Sequence, residues 1–242
     1  MAKGKVIVFG GNDGVGKRTQ TQLFVERLNK SGRISPAKAI FYTFPDYDSF
    51  WGGLVSRYLG RGEALDEVIA GDPLQASMLY ELDRRVVAVN SMIPELKKGN
   101  WVVCDRYVES NLAHQTVKFK NKKEQEHFIK VLTYLQHEYF ELPKPDLVLI
   151  LTLPAAVRAE QTEKRRREFM AKSGGKTHAQ VAERDRHEQD LAYMESVNSY
   201  YPKLARRFNW PIVDCSKNGE QLSREEISDK VWRIVSKKYH FA

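Results

Sequence analysis

Seven residues near the start of the chain, Gly11-Asn12-Asp13-Gly14-Val15-Gly16-Lys17, have the composition of a phosphate cradle. Glycines let backbone N–H groups turn inward around phosphate oxygens, a helix N-terminus adds partial positive charge, and a lysine closing the turn reaches the β- and γ-phosphates of a nucleotide. The apolar run Val6 to Phe9 precedes the turn, and Leu23, Val25 and Leu28 follow it at helical spacing. That strand–turn–helix context is what the chemistry requires. Gly11, Asn12, Gly14, Val15, Gly16, Lys17, Arg18 and Thr19 are therefore the expected ATP-binding set, with Lys17 and Asp13 as catalytic candidates. A hydroxyl residue usually follows the lysine and meets Mg²⁺; here the position holds Arg18, with Thr19 next. Either Thr19 or a water takes that place, or the metal is held elsewhere. Arg18 either touches a phosphate itself or points to solvent.

Other candidates sit at strand ends. Asp105-Arg106-Tyr107 follows the apolar run Trp101 to Cys104. Ligands of open α/β sheets bind beyond the carboxyl ends of the strands. There an acid can hold Mg²⁺ or its water, and the adjacent arginine can clamp a phosphate through two parallel bonds. Asp105 and Thr19 are the metal-ligand candidates, and Asp105 and Arg106 join the catalytic set. Phe44-Pro45 ends another strand, and Tyr80-Glu81-Leu82-Asp83-Arg84-Arg85 lies within a long helix. Each also has a plain structural reading, a core tyrosine or a solvated arginine face. The six histidines show no metal-ligand spacing, and no Ser-His-Asp or Cys-His arrangement can be assembled.

The elements that must position these groups alternate in type. Strands are expected at Val6–Phe9, Ala39–Phe44, Trp101–Cys104, Asp146–Leu153 and Pro211–Asp214. Helices are expected at Lys17–Asn29, Phe50–Gly60, Pro73–Lys98, Asn111–Val117, Lys123–Tyr139, from Pro154 onward, Gln189–Phe208 and Arg224–Lys237. This alternation implies a parallel sheet covered on both faces, a three-layer α/β P-loop fold with five strands. The 242 residues, 42% of them hydrophobic, suffice for one such domain spanning 1–242. No linker or repeat divides it.

The net charge of +8 suits polyanions, and its distribution narrows the choice. Between Lys164 and Arg186 eight basic residues face three acidic ones. A local excess favours a phosphate-handling lid at about 160–186 over a diffuse nucleic-acid surface. Phe169 is the lone aromatic there, so stacking on bases is poorly supported. An arginine of this segment, Arg165 among them, can close over ATP and meet the charge that develops on the transferring phosphoryl group. Two cysteines, Cys104 and Cys215, build no disulfide framework. No apolar run is long enough for a membrane span or a signal-peptide core. A cytoplasmic setting is expected.

Taken in order, these residues resemble the thymidylate kinase family. Gly11 to Gln20, with Asp13-Gly14 and Thr19-Gln20, is similar to the family's phosphate loop, and Phe44-Pro45 to its strand-end pair. Leu79 to Arg84 resembles the helix that supplies an aromatic against thymine and an arginine to the acceptor phosphate. Asp105-Arg106-Tyr107 with Gln115, Asp185-Arg186-His187-Glu188 at the end of the lid, and Pro211 to Ser216 by the adenine complete the match. The resemblance implies transfer of the ATP γ-phosphoryl group to dTMP, giving dTDP, with Mg²⁺ and a homodimer. It implies Tyr80 as the stacking residue and Arg84 as the phosphate ligand. The acceptor site then comprises Asp13, Phe44, Pro45, Arg57, Tyr80, Arg84, Arg106 and Gln115. Three departures stand out: Arg18; Tyr47, where some members carry a phosphate-binding arginine whose work falls to Arg57 or Arg84; and a longer lid. Val87, where a polar contact to the base is expected, weakens the case for thymine in particular. The rival readings are a deoxynucleoside kinase, with Asp46 as its only candidate base, and a non-catalytic protein that binds nucleotide or nucleic acid.

Overall fold

The computed structural model describes residues 4–61, 65, 69, 71–158, 160 and 191–241. The order is β1 (Val6–Gly11), α1 (Lys17–Lys30), β2 (Ala39–Thr43), α2 (Phe50–Tyr58), α3 (Pro73–Val87), α4 (Ile93–Lys97), β3 (Trp101–Asp105), α5 (Val108–Thr116) and α6 (Lys122–Tyr134). It continues with β4 (Leu147–Thr152), α7 (Leu191–Phe208), β5 (Ile212–Asp214), β6 (Ser216–Lys217), β7 (Glu220–Gln221) and α8 (Arg224–Tyr239). The stretch expected as one helix, Pro73–Lys98, runs through a π-helical turn at Ala88–Met92, and a second π turn, Leu135–Tyr139, extends α6.

The five main strands form one parallel sheet in the order β2-β3-β1-β4-β5. Successive strand side chains point to opposite faces, and the two cores follow that alternation. Val6, Val8, Val102, Cys104, Val148 and Ile150 pack with α5, α6 and α7 residues such as Leu112, Leu132 and Tyr201. Ile7, Phe9, Val103, Leu147, Leu149 and Leu151 pack on the other face against Phe24 and Leu28 of α1 and Ile227, Val231 and Val235 of α8. This is the three-layer arrangement expected from the alternating pattern. β6 and β7 pair as a separate antiparallel ribbon that apolar patterning does not mark.

Local chemistry fixes the helix starts. Pro73 opens α3 while the Asp72 carboxylate accepts from the N–H groups of Leu74 and Gln75, both at 2.8 Å. Ser223 and Glu226 form a reciprocal capping box on α8. Strand ends run slightly past expectation where it matters most. β1 continues through Gly10 and Gly11 because Gly11 still pairs with Leu151, and β3 includes Asp105, which pairs with Phe9 and Thr43. The Asp105 carboxylate is thus mounted on the sheet itself.

Candidate active site

The phosphate loop begins at a backbone crossing only glycine permits. Gly11 has φ +118°, and a Cβ there would lie 2.0 Å from the Leu151 carbonyl oxygen. Asn12 then donates its N–H to the same oxygen at 3.0 Å and its side-chain amide to the Leu153 carbonyl at 3.1 Å, tying the loop to β4. Gly16, at φ +91°, turns the chain into α1. Lys17 is buried, and its Nζ donates to the carbonyls of Gly11 at 2.9 Å and Asn12 at 2.7 Å and to the Asp13 carboxylate at 3.1 Å. Burial and the nearby Arg106 charge push the Lys17 amine below its ordinary value, with Asp13 and Asp105 opposing.

The turn after β3 meets this loop. Arg106 adopts φ +64°, rare for a residue with a side chain. Its N–H donates to the Phe9 carbonyl at 3.0 Å, and its guanidinium pairs with Asp13. Burial would raise the Asp13 carboxyl, but Arg106 and Lys17 outweigh it and hold the group well below the usual carboxylate range. Asp105 goes the other way. Burial raises its carboxyl against the pull of Arg106, Lys17 and Arg18, and its Oδ1 has no hydrogen-bond partner among the described residues. The two carboxylates thus differ: Asp13 is paired with Lys17 and Arg106, while Asp105 keeps one oxygen without a hydrogen-bond partner among the described residues. Arg18 is exposed on the first turn of α1, its guanidinium 5.9 Å from the Phe41 ring on β2. Thr19 makes no side-chain hydrogen bond among the described residues.

Beside the loop a cleft opens, lined by Asp13, Phe44, Pro45, Tyr80, Arg84 and Arg106 together with Tyr47, Leu59, Arg61, Ser110, Asn111, His114 and Met194. Six of the expected acceptor residues therefore share one cavity. Arg57 and Gln115 are not among its lining. Arg61, one turn beyond Arg57, lines it, with its guanidinium 5.1 Å from the Tyr47 ring. Gln115 is fully buried, and its amide faces Tyr58. Tyr80 meets Tyr58 edge-on at 5.9 Å, while Arg84 lies 5.7 Å from the Tyr80 ring. Arg165 and Asp185 to Glu188, with the lid beyond Glu160, lie outside the described residues.

Several contributors carry no signal in a linear reading. Asp83, inside the quoted helix motif, accepts from the Asp46 N–H at 3.1 Å and the Ser49 hydroxyl at 2.9 Å. It thereby ties α3 to the loop that follows Phe44-Pro45. Asp46 itself does not line the cleft. Ser110, Asn111 and His114 come from α5, whose start lies three residues earlier than periodicity suggested. Gln20 donates to the Arg224 carbonyl at 2.9 Å and so ties the start of α8 to the first turn of α1.

The thymidylate kinase family model matches residues 9–227. A thymidylate kinase of Afipia carboxidovorans is 30% identical over 96% of this chain and 89% of its own length. One from Prochlorococcus marinus is 30% identical over 92% of this chain and 93% of its own. Among solved structures, a thymidylate kinase from Candida albicans superposes with a TM-score of 0.66 at 23% identity, covering 100% of this chain and 95% of that one. One from Ehrlichia chaffeensis gives 0.63 at 17% identity over 96% and 99%.

Proposed function

The chain belongs to the thymidylate kinase family, and from that premise we propose that it transfers the γ-phosphoryl group of ATP to dTMP, giving dTDP, at the cleft beside the phosphate loop. One observation carries the reading: Asp13, Arg106, Arg84 and Tyr80 reach one cavity from three elements, directly beside Lys17. That arrangement supplies a place for an acceptor anion within reach of a donor phosphate.

Lys17 and the loop N–H groups hold the donor phosphates. Arg106 and Arg84 neutralise the acceptor phosphate so that its oxygen can approach the γ-phosphorus. The acceptor is already an anion, so no general base is required, and positioning with charge neutralisation carries the catalysis. Asp13 fixes Arg106 and faces the acceptor sugar. Tyr80 stacks on the base, between Phe44-Pro45 and α5. The basic segment at about 160–186, Arg165 included, completes the chain's single kinase domain and brings an arginine to the transferring phosphate.

The donor set fits Mg²⁺. This ion takes one or two carboxylates and otherwise waters and phosphate oxygens, and Asp105 offers, at the sheet's carboxyl end, an oxygen with no hydrogen-bond partner among the described residues. No group of three ligating side chains exists among the described residues, and this ion needs none. When bound it neutralises charge on the donor phosphates. Thr19 or a water fills the place that Arg18 leaves without a hydroxyl. Two buried free cysteines fit a reducing, cytoplasmic setting, and no helix among the described residues is long and apolar enough to cross a membrane. A homodimer belongs to the same reading, supported by the exposed apolar side chains of Val86 and Val89. Sedimentation at assay concentration tests it.

The function is tested by coupled ADP release with ATP and Mg²⁺, offering dTMP, dUMP, dCMP, dGMP, UMP and thymidine in parallel. Turnover on dTMP, with less on dUMP, is expected. Turnover on thymidine alone makes the chain a nucleoside kinase, and no turnover with any acceptor sinks the enzyme reading.

A further inference from the structure

Glu81 stands between the two helix residues that line the cleft, yet it does not line the cleft itself. It is 0% exposed. A carboxylate in that position is disfavoured unless donors converge on it. Three do, all on Oε1: Arg84 Nη1 at 3.0 Å, Asn111 Nδ2 at 2.7 Å and Gln136 Nε2 at 2.7 Å. They come from α3, α5 and the π turn after α6, so one oxygen joins three elements. Two of the three donors, Arg84 and Asn111, line the cleft.

The spacing and the chemistry explain the effect on Arg84. Residues three apart on a helix share a face, so Glu81 meets the guanidinium without distorting α3. The contact engages one of five N–H donors, and the fork keeps donors for an incoming phosphate. An arginine side chain has about 2 kcal/mol of rotamer entropy to lose when it is immobilised. Holding it in place beforehand removes that cost from acceptor binding. Stability alone accounts poorly for the arrangement. Glu81 Oε2 and Arg84 Nε have no hydrogen-bond partner among the described residues, and a buried ion pair is often no more stabilising than a well-packed apolar pair.

We propose that Glu81 is a positioning residue of the acceptor site, holding the Arg84 guanidinium oriented for the acceptor nucleotide. This rests on the reading of Arg84 as the acceptor-phosphate ligand. The glutamine variant keeps the shape but offers a weaker, neutral acceptor to donors now competing with its own N–H₂. The test compares Glu81→Gln, Arg84→Gln and the double variant in steady state, with melting curves alongside. Glu81→Gln is expected to raise the KM for dTMP roughly ten- to hundred-fold, the value of a hydrogen bond to a charged group. The KM for ATP should not move, and kcat should stay within a few-fold. In the double variant the dTMP KM should equal that of Arg84→Gln alone, because Glu81 acts through Arg84. A lowered Tm with an unchanged dTMP KM, or effects that multiply in the double variant, overturns the proposal. If Arg84→Gln itself leaves the dTMP KM unchanged, the acceptor-site reading fails and the proposal falls with it. Should Glu81→Gln not fold, Glu81→Asp, which keeps the charge and withdraws it by one methylene, answers the same question by the same KM.

Discussion

Replacing Asp105 by asparagine is expected to make the free protein more stable while disabling it. Asp105 is 8% exposed, and its Oδ1 lacks a partner among the described residues. Leaving a buried acceptor unsatisfied costs about 1–3 kcal/mol, and more when the group is charged. Lys17, Arg106 and Arg18 return part of this, but burial dominates and the carboxyl is raised above its ordinary 3.8. A neutral amide of the same shape relieves the burial term, for a net gain of about 1 kcal/mol. In a chain of this size that is a rise of roughly 2–4 °C in Tm. The pH dependence has a definite sign. The folded state holds the Asp105 proton more tightly than the unfolded chain, so wild-type stability from this group is full below 3.8 and is lost as pH rises through the raised folded value. Asparagine does not ionise. The two proteins should therefore melt alike in acid and diverge towards neutral pH, the variant above the wild type. In the ADP-release assay with dTMP, the same variant should lose roughly a hundred-fold or more in kcat. Melting curves without nucleotide, taken across pH, decide the matter. A variant that melts at or below the wild type at neutral pH, or a gain that persists unchanged into acid, refutes the reasoning.

Gly11→Ala places a Cβ 2.0 Å from a backbone oxygen at φ +118°; it should cost about 3 kcal/mol or more, lowering Tm by more than about 6 °C. Gly16→Ala, at φ +91° but with open space around the site, should cost about 1–2 kcal/mol, and equal losses in the two melting curves would contradict the steric account. Tyr80→Ala should raise the dTMP KM about tenfold with the ATP KM unchanged, as initial rates will show. Arg18→Thr removes a cation that acts on Asp105 and supplies a hydroxyl, so the Mg²⁺ concentration giving half-maximal rate should fall; an unchanged Mg²⁺ titration would separate Arg18 from the metal.

The features legible in the linear chain are those that follow local rules. Glycine spacing and one lysine announced the phosphate loop, because the backbone cannot make that turn otherwise. Apolar runs such as Leu147 to Leu151 announced buried parallel strands, and the helix expected from Pro73 begins there. The composite order of Phe44-Pro45, Tyr80, Arg84 and Asp105-Arg106 announced the family. Which of these meet depends on how the sheet is ordered and the helices pack. The order β2-β3-β1 puts the ends of β1 and β3 side by side, so Arg106 reaches Asp13 across 93 positions of chain. Arg61 rather than Arg57 lines the cleft because of how α2 ends, a matter of one helical turn that no residue type signals. Glu81 and Asp83 sit in a motif that could be read letter by letter. Their work lies in partners from α5, from the π turn after α6 and from the loop after β2, 30 to 55 residues away. Burial then assigns the charges. Asp13 and Asp105 are the same residue type at neighbouring strand ends, and only packing makes them different acids, by pairing Asp13 directly with Arg106 and Lys17 while burial dominates at Asp105.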